Sequence, residues 1–316
     1  MHFHRFNLML RPDLDTVKRT LSILFREGDT VELRCIANGQ VVNGYYRDLT
    51  KLAEDACRLN FDFSPFFNAF VCLSPVDPQL FARRANEFGR CGKNEASKDQ
   101  DVQIRRWLLL DIDAGQPTGV MASASQKQQA FQLAGKVHGW LCEHLGPNSF
   151  IGGDSGNGGH MLLCLPDVPA NAESRWVCER FLAVLNERFQ DHLPAHIDTG
   201  MFNAARISAL FGTIKRKGSD LPEQPHRLTS LLYVPEEVAP VDWQRLASFV
   251  DTCPTAQQGA SAATNGRLDI DQVLQQRGVE AASRDDRYVT QSGERAVRWE
   301  LEQLKWTPKT GPCNKV

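Results

Sequence analysis

Two aspartates separated by one residue, Asp111 and Asp113, close the run Arg105-Arg106-Trp107-Leu108-Leu109-Leu110-Asp111-Ile112-Asp113. Side chains of a strand alternate with a period of two, so both carboxylates point to one face. At a strand end they could share a pair of magnesium or manganese ions, which prefer carboxylate oxygens and keep water or phosphate as remaining ligands. Read alone, the pair also fits strand-end carboxylates that cap the next turn. A second group, Gly152-Gly153-Asp154-Ser155-Gly156-Asn157-Gly158-Gly159-His160, packs five glycines into nine positions ahead of the strand-like Met161 to Leu165. Glycines let backbone N–H groups approach an anion, so this turn could cradle a triphosphate, with Ser155 and His160 adding side-chain donors. It lacks the G-x-x-x-x-G-K-[ST] pattern, and no long helix follows it. A third group offers Asp198 before Thr199-Gly200, then Arg206, then Lys215 and Lys217 beyond Gly212-Thr213. A carboxylate flanked by cations is what a site needs to hold metals and phosphates together. Singly, Asp198 also reads as a turn former and Arg206 as one half of a surface ion pair.

The elements that must position these groups follow from periodicity. Val17, Leu21, Leu24 and Phe25 recur at helical spacing over Thr16 to Glu27, and Thr30 to Ala37 alternates as a half-buried strand does. A second helix is expected over Arg47 to Leu59, and a second strand over Phe67 to Leu73, ended by Ser74-Pro75. Gly89 to Asp101 is polar, charged and without period, hence a loop. The apolar run that ends in Asp111 and Asp113 is that of a strand covered on both faces. Ser125 to Leu145 predicts a long helix, Ser149 to Gly153 and Met161 to Leu165 two strands about the glycine-rich turn, and Ala172 to Phe189 a further helix. Arg206 to Leu210 and Leu228 to Val234 predict strands, and Trp243 to Phe249 starts a last helix. Residues 254–266, small, polar and nearly uncharged, have the composition of a flexible linker. That divides the chain into a catalytic domain over 1–253 and a helical C-terminal segment over 267–316, which has too little apolar surface to fold alone.

With 316 residues, 42% of them hydrophobic, the chain can bury one large core or two modest ones and falls in the soluble globular class. The first ten residues run straight into Arg11, Asp13 and Asp15, with no signal-peptide pattern. No apolar run reaches the roughly 18 to 20 residues of a bilayer span. The expected location is the cytoplasm, with no membrane partner. Nine scattered cysteines without a C-x-x-C pair argue for reduced thiols and against a zinc site. A formal charge of −2 is unlike that of most nucleic-acid binders, but the balance is local. Between Met201 and Ser230, Arg206, Lys215, Arg216, Lys217 and Arg227 face only Asp220 and Glu223, which makes one positive patch.

In this order, "RRWLLLDID", "DSGNGGHMLL" and "IDTGMFNAARISALFGTIKRKG" followed by "PHR" resemble the archaeo-eukaryotic primase superfamily, specifically the primase-polymerase domains of phage, plasmid and mobile-element replication proteins. The resemblance runs from about Val31 to about Val234. It implies an α/β (α+β) fold in which a catalytic sheet related to the RNA-recognition fold packs on an N-terminal α/β module, with the site in the cleft between them and a small helical C-terminal tail. It implies that Asp111, Asp113 and Asp198 are the catalytic, metal-binding triad for two Mg2+ or Mn2+ ions. Ser155, Gly156, Asn157, Gly158 and His160, with Arg206, Lys215 and Lys217, then form the nucleotide-binding side. The implied partners are single-stranded DNA template and primer, NTP or dNTP, and a helicase in cis or in trans. Tyr45, Tyr46, Phe70 and Ser74 are candidates for contact with the nucleotide sugar.

Two other functions fit part of the pattern. D-x-D also marks sugar-nucleotide transferases, which give no reason for the glycine-rich turn or the basic run, and haloacid-dehalogenase-like phosphatases, which need Thr or Val where this chain has Gly115. A non-catalytic initiator could keep the fold and use the basic patch only to track phosphates.

Overall fold

The computed structural model describes residues 10–253 other than 38, 64–66, 93–94 and 193; the linker and helical segment expected over 254–316 lie outside the described residues. In chain order, α1 (Leu14–Leu24) leads to β1 (Val31–Ala37), β2 (Gln40–Tyr46), α2 (Leu49–Arg58), β3 (Asn68–Cys72) and β4 (Phe88–Arg90). Next come β5 (Ile104–Asp113), α3 (Ala124–Leu145), β6 (Phe150–Asp154), β7 (Gly159–Pro169) and α4 (Ala172–Arg188). The short strands β8 (His196–Ile197), β9 (Ile207–Ala209), β10 (Ile214–Lys215), β11 (Arg227–Leu228) and β12 (Ser230–Tyr233) precede α5 (Trp243–Thr252). The five α-helices start at Asp13, Asp48, Ser123, Asn171 and Asp242, whose side chains each accept a backbone N–H of the first turn. No helix among the described residues is long and apolar enough to cross a membrane.

The class is mixed α/β of the α+β kind, with antiparallel pairing between all the named strands. One sheet has the order β4-β2-β1-β3-β9, the other β12-β6-β7-β5-β8, and β10 with β11 forms a separate ribbon. β2, β4 and the two-residue strands β8 and β10 fall outside the strands expected from the sequence. β2 pairs with β1 along its whole length, and Gly39 ahead of it has φ +76°, a backbone conformation that suits glycine. Its own pattern, Gln-Val-Val-Asn-Gly-Tyr-Tyr, does not alternate, which hides it from a periodicity test. β4 lies at the start of the expected loop and borders β2.

β5 is covered on both faces, as its apolar run predicts. Leu108, Leu110 and Ile112 pack with Met161, Leu163 and Leu165 of β7 against α3, α4 and α5. Trp107 and Leu109, with Leu162 and Cys164, enter a second core shared with α1, α2 and the N-terminal sheet. The Trp107 indole donates to the Leu24 carbonyl at the end of α1 at 3.1 Å. Beside it, buried Arg106 pairs with Asp29 and with Asp167, the latter at 2.9 Å, so an ionic clasp ties β5 and β7 to the connection between α1 and β1.

Candidate functional site

On the face of β5 turned to the N-terminal sheet, the sequence of side chains is Trp107, Leu109, Asp111, Asp113: the core gives out and carboxylates take its place. β8 pairs with the end of β5, Ile197 opposite Ile112. The next residue continues that ladder, the Asp198 N–H donating to the Asp111 carbonyl at 2.8 Å. Asp111, Asp113 and Asp198 are thereby gathered so that one carboxylate oxygen from each lies within 4.8 Å of the others. All three are half-buried. Although burial opposes ionisation, the His160 imidazole and the Lys215 and Lys217 ammonium groups hold the Asp111 carboxyl below the usual range. Burial and the charge of Asp111 push Asp113 the other way, upward. Its one side-chain hydrogen bond among the described residues is a long one, from Gln116 Nε2 at 3.5 Å. A carboxylate as crowded and as short of donors as Asp113 suits a cation, and an all-oxygen set suits a hard divalent one.

His160 stands beside Asp111 because β5 and β7 pair with those two residues in register. Its Nε2 is 3.2 Å from Asp111 Oδ1, and its Nδ1 is 3.2 Å from Ser208 Oγ. The edge of Phe211 closes on the ring at 6.1 Å between centroids.

The glycine-rich turn differs from the expected cradle. The N–H groups of Ser155, Gly156 and Gly158 are bonded within the turn, to the Gly158 carbonyl at 3.0 Å, Asp154 Oδ1 at 2.7 Å and Ser155 Oγ at 3.1 Å. The Ser155 hydroxyl is buried in that same contact, and the Asn157 carboxamide faces inward, accepting the Ala122 N–H at 3.1 Å. The glycines have a different use. A Cβ on Gly158 would overlap the Ile112 carbonyl oxygen, and one on Gly156, at φ +90°, would lie 2.6 Å from Lys215 Cβ. Their lack of a side chain lets the turn close over the end of β5 and brings Lys215 against it.

Lys215 and Lys217 both sense the carboxylates, whereas Arg216 between them turns away to the Phe67 carbonyl, 3.2 Å distant, so the Lys-Arg-Lys run alternates as a strand does. Burial and the neighbouring Lys217 lower the Lys215 ammonium to about 8, and its Nζ lies 4.9 Å from the centre of the Phe70 ring. Arg206 donates to the Gly200 carbonyl at 2.8 Å, while its buried Nε has no partner among the described residues. Burial lowers its pKa, against the opposing fields of Asp198, Asp111 and Asp99.

His160, Arg206, Lys215 and Lys217 therefore gather around the carboxylates of Asp111, Asp113 and Asp198, while Ser155 and Asn157 turn their polar groups into the protein. Three of the four sugar-contact candidates are fully buried: Tyr45 donates to the Glu95 carbonyl, Tyr46 to Asp55, and Ser74 accepts from the Arg106 N–H. Phe70 is half-buried beneath Lys215. Ser208 is not among the residues the sequence marks, although period two from Arg206 puts it on the same face, and Arg227 is marked there only as part of the positive patch. Arg227 donates to the Gly156 carbonyl at 3.1 Å and the Ala122 carbonyl at 2.7 Å, and Lys127 pairs with Asp154 at 2.6 Å; both brace the turn from behind.

No family model and no curated protein matches the chain. Among solved structures, primase RepB' is similar over 92% of this chain and 69% of its own length, with 10% identity and a TM-score of 0.43. The AEP domain of the cyanophage S-2L primase-polymerase is similar over 78% of this chain and all of its own, with 13% identity and a TM-score of 0.42. The catalytic domain of primase RepB' in complex with initiator DNA is similar over 84% and 98%, with 10% identity and a TM-score of 0.40.

Proposed function

We propose that this chain is a template-directed nucleotidyl transferase, a DNA primase-polymerase that joins NTP or dNTP units on a single-stranded template. The observation that carries the reading is a cluster of three carboxylates with cationic side chains set around it. Three carboxylates lie within 4.8 Å of one another, and His160, Arg206, Lys215 and Lys217 gather around them. Asp111, Asp113 and Asp198 would hold two Mg2+ or Mn2+ ions. Bound there, such ions lower the pKa of a 3′-hydroxyl and offset charge on the transferring phosphoryl group.

The cationic residues take the triphosphate. Lys215 and Lys217 lie near the carboxylates, on β10 and its continuation, and a triphosphate bound beside the carboxylates would meet His160 and Arg206 as further donors. Fixed donors in a largely buried cleft need little reorganisation as charge moves onto the leaving pyrophosphate. Gly156 and Gly158 contribute by close packing, and Ser155 and Asn157 hold the turn's shape.

The test is nucleotide incorporation by the full chain on unprimed and primed single-stranded DNA, with ribo- and deoxyribonucleotides and with Mg2+ or Mn2+. Template-dependent product is expected with at least one nucleotide set. Binding of DNA without incorporation under every condition would replace the enzyme by a non-catalytic initiator.

A further inference from the structure

His160 and Asp111 belong to the second sheet, but the group behind His160 does not. Ser208 lies on β9, an edge strand of the N-terminal sheet, paired there with Val71 of β3. It is 2% exposed, a place that an aliphatic residue could fill, yet its Oγ is 3.2 Å from His160 Nδ1. Its alternative acceptor, the Ala209 carbonyl, is farther away at 3.4 Å. With Nδ1 engaged, the nitrogen that faces the carboxylates is Nε2, 3.2 Å from Asp111 Oδ1. An imidazole held at one ring nitrogen has its other nitrogen aimed by that bond. Phe211 closes on the ring, but an apolar edge does not distinguish its two flipped orientations.

We propose that Ser208 is a positioning residue, reaching from the N-terminal sheet to fix the His160 ring so that Nε2 faces Asp111, at the edge of the carboxylate cluster where the incoming nucleotide binds. The proposal rests on the nucleotidyl-transfer reading in one respect, the assignment of His160 to the nucleotide. Under it the N-terminal sheet supplies more than a wall: its edge strand sets the orientation of a binding group on the other sheet.

The experiment compares the full chain with Ser208→Ala, Ser208→Thr, His160→Ala and the Ser208→Ala/His160→Ala pair, each checked for an unchanged thermal midpoint. Steady-state incorporation gives KM and kcat, and long-range 1H–15N spectra of histidine-labelled protein report the two ring nitrogens of His160. Loss of one hydrogen bond of about 0.5–1.5 kcal/mol corresponds to a rise of about two- to tenfold in nucleotide KM for Ser208→Ala, with kcat changed less. Ser208→Thr should restore most of it. In the His160→Ala background Ser208→Ala should add nothing, and in the wild-type background it should move the His160 Nδ1 signal. An equal KM penalty in both backgrounds, or unchanged KM and ring signals on removing the hydroxyl, would overturn the proposal. Should the wild-type chain incorporate no nucleotide at all, the nucleotidyl-transfer reading falls, while the ring signals still decide what Ser208 does to His160.

Discussion

The two sheets each bury carboxylates, and they treat them in opposite ways. On the N-terminal sheet Glu32 is fully buried and saturated: Asn43 Nδ2 donates to it at 2.9 Å, the Ser97 N–H at 3.2 Å and the Ser97 hydroxyl at 2.5 Å, and Arg34 pairs with it. On the second sheet Asp113 has a single long bond from Gln116 and stands beside two more acids. A carboxylate that serves the fold has donors on both oxygens. One left with lone pairs aimed at other carboxylates raises the cost of the folded state unless a cation arrives. The contrast separates acids satisfied by the fold from acids left open to a cation.

That distinction is open to direct attack by substitution. Asp113→Asn should cut nucleotide incorporation by about 10³-fold, the scale on which loss of a transition-state charge contact is felt. It should leave the thermal midpoint unchanged or raise it. The sign follows from linkage: a carboxyl held above its usual pKa binds its proton more readily folded than unfolded, so its ionised form opposes folding at neutral pH. A clear drop in the midpoint would make Asp113 a structural acid after all. Glu32→Ala should do the reverse, lowering stability in urea by about 3–5 kcal/mol because Arg34 is left half-buried without its partner. Incorporation per folded molecule should stay near wild type.

Gly158→Ala tests whether the turn's glycines serve packing. The added methyl must displace the end of β5, which should cost about 1–3 kcal/mol in denaturant unfolding and disturb the carboxylates as well. A variant of full stability with only weaker nucleotide binding would restore the role first expected of the turn. The smallest effect is that of pH. Lys215 carries its charge below about 8 and loses it above, so nucleotide KM should rise as pH increases through 8, by about tenfold between pH 7 and 9 if only the charged form binds. Lys215→Arg should flatten that profile.

Much of this site was legible in the sequence because its determinants are local. The apolar run to Asp111-Ile112-Asp113 specifies a buried strand with both acids on one face, and the alternation of Lys215, Arg216 and Lys217 tells which cations share a side. The acid at 198 and the histidine at 160 were marked by chemical type. What stayed hidden depends on partners far along the chain. Nothing near Ser208 announces His160, forty-eight residues earlier, and nothing in Arg227 announces Gly156 and Ala122. Glycines in a turn read alike whether they cradle an anion or let a strand end come close. The polar groups of Ser155 and Asn157 were assigned outward on that ambiguity, and the structure turns them inward. β2 is hidden because Val41-Val42 and Asn43-Gly44 break the alternation that a half-buried strand shows.

The central claim is that Asp111, Asp113 and Asp198 form a metal-holding centre, and Mn2+ binding to the full chain, followed by the loss of the free-ion electron paramagnetic resonance signal, tests it most directly. Saturable binding that disappears in the Asp111→Ala/Asp113→Ala double variant, with the fold intact by circular dichroism, is the predicted result. A double variant that takes up Mn2+ as the wild type does would contradict it.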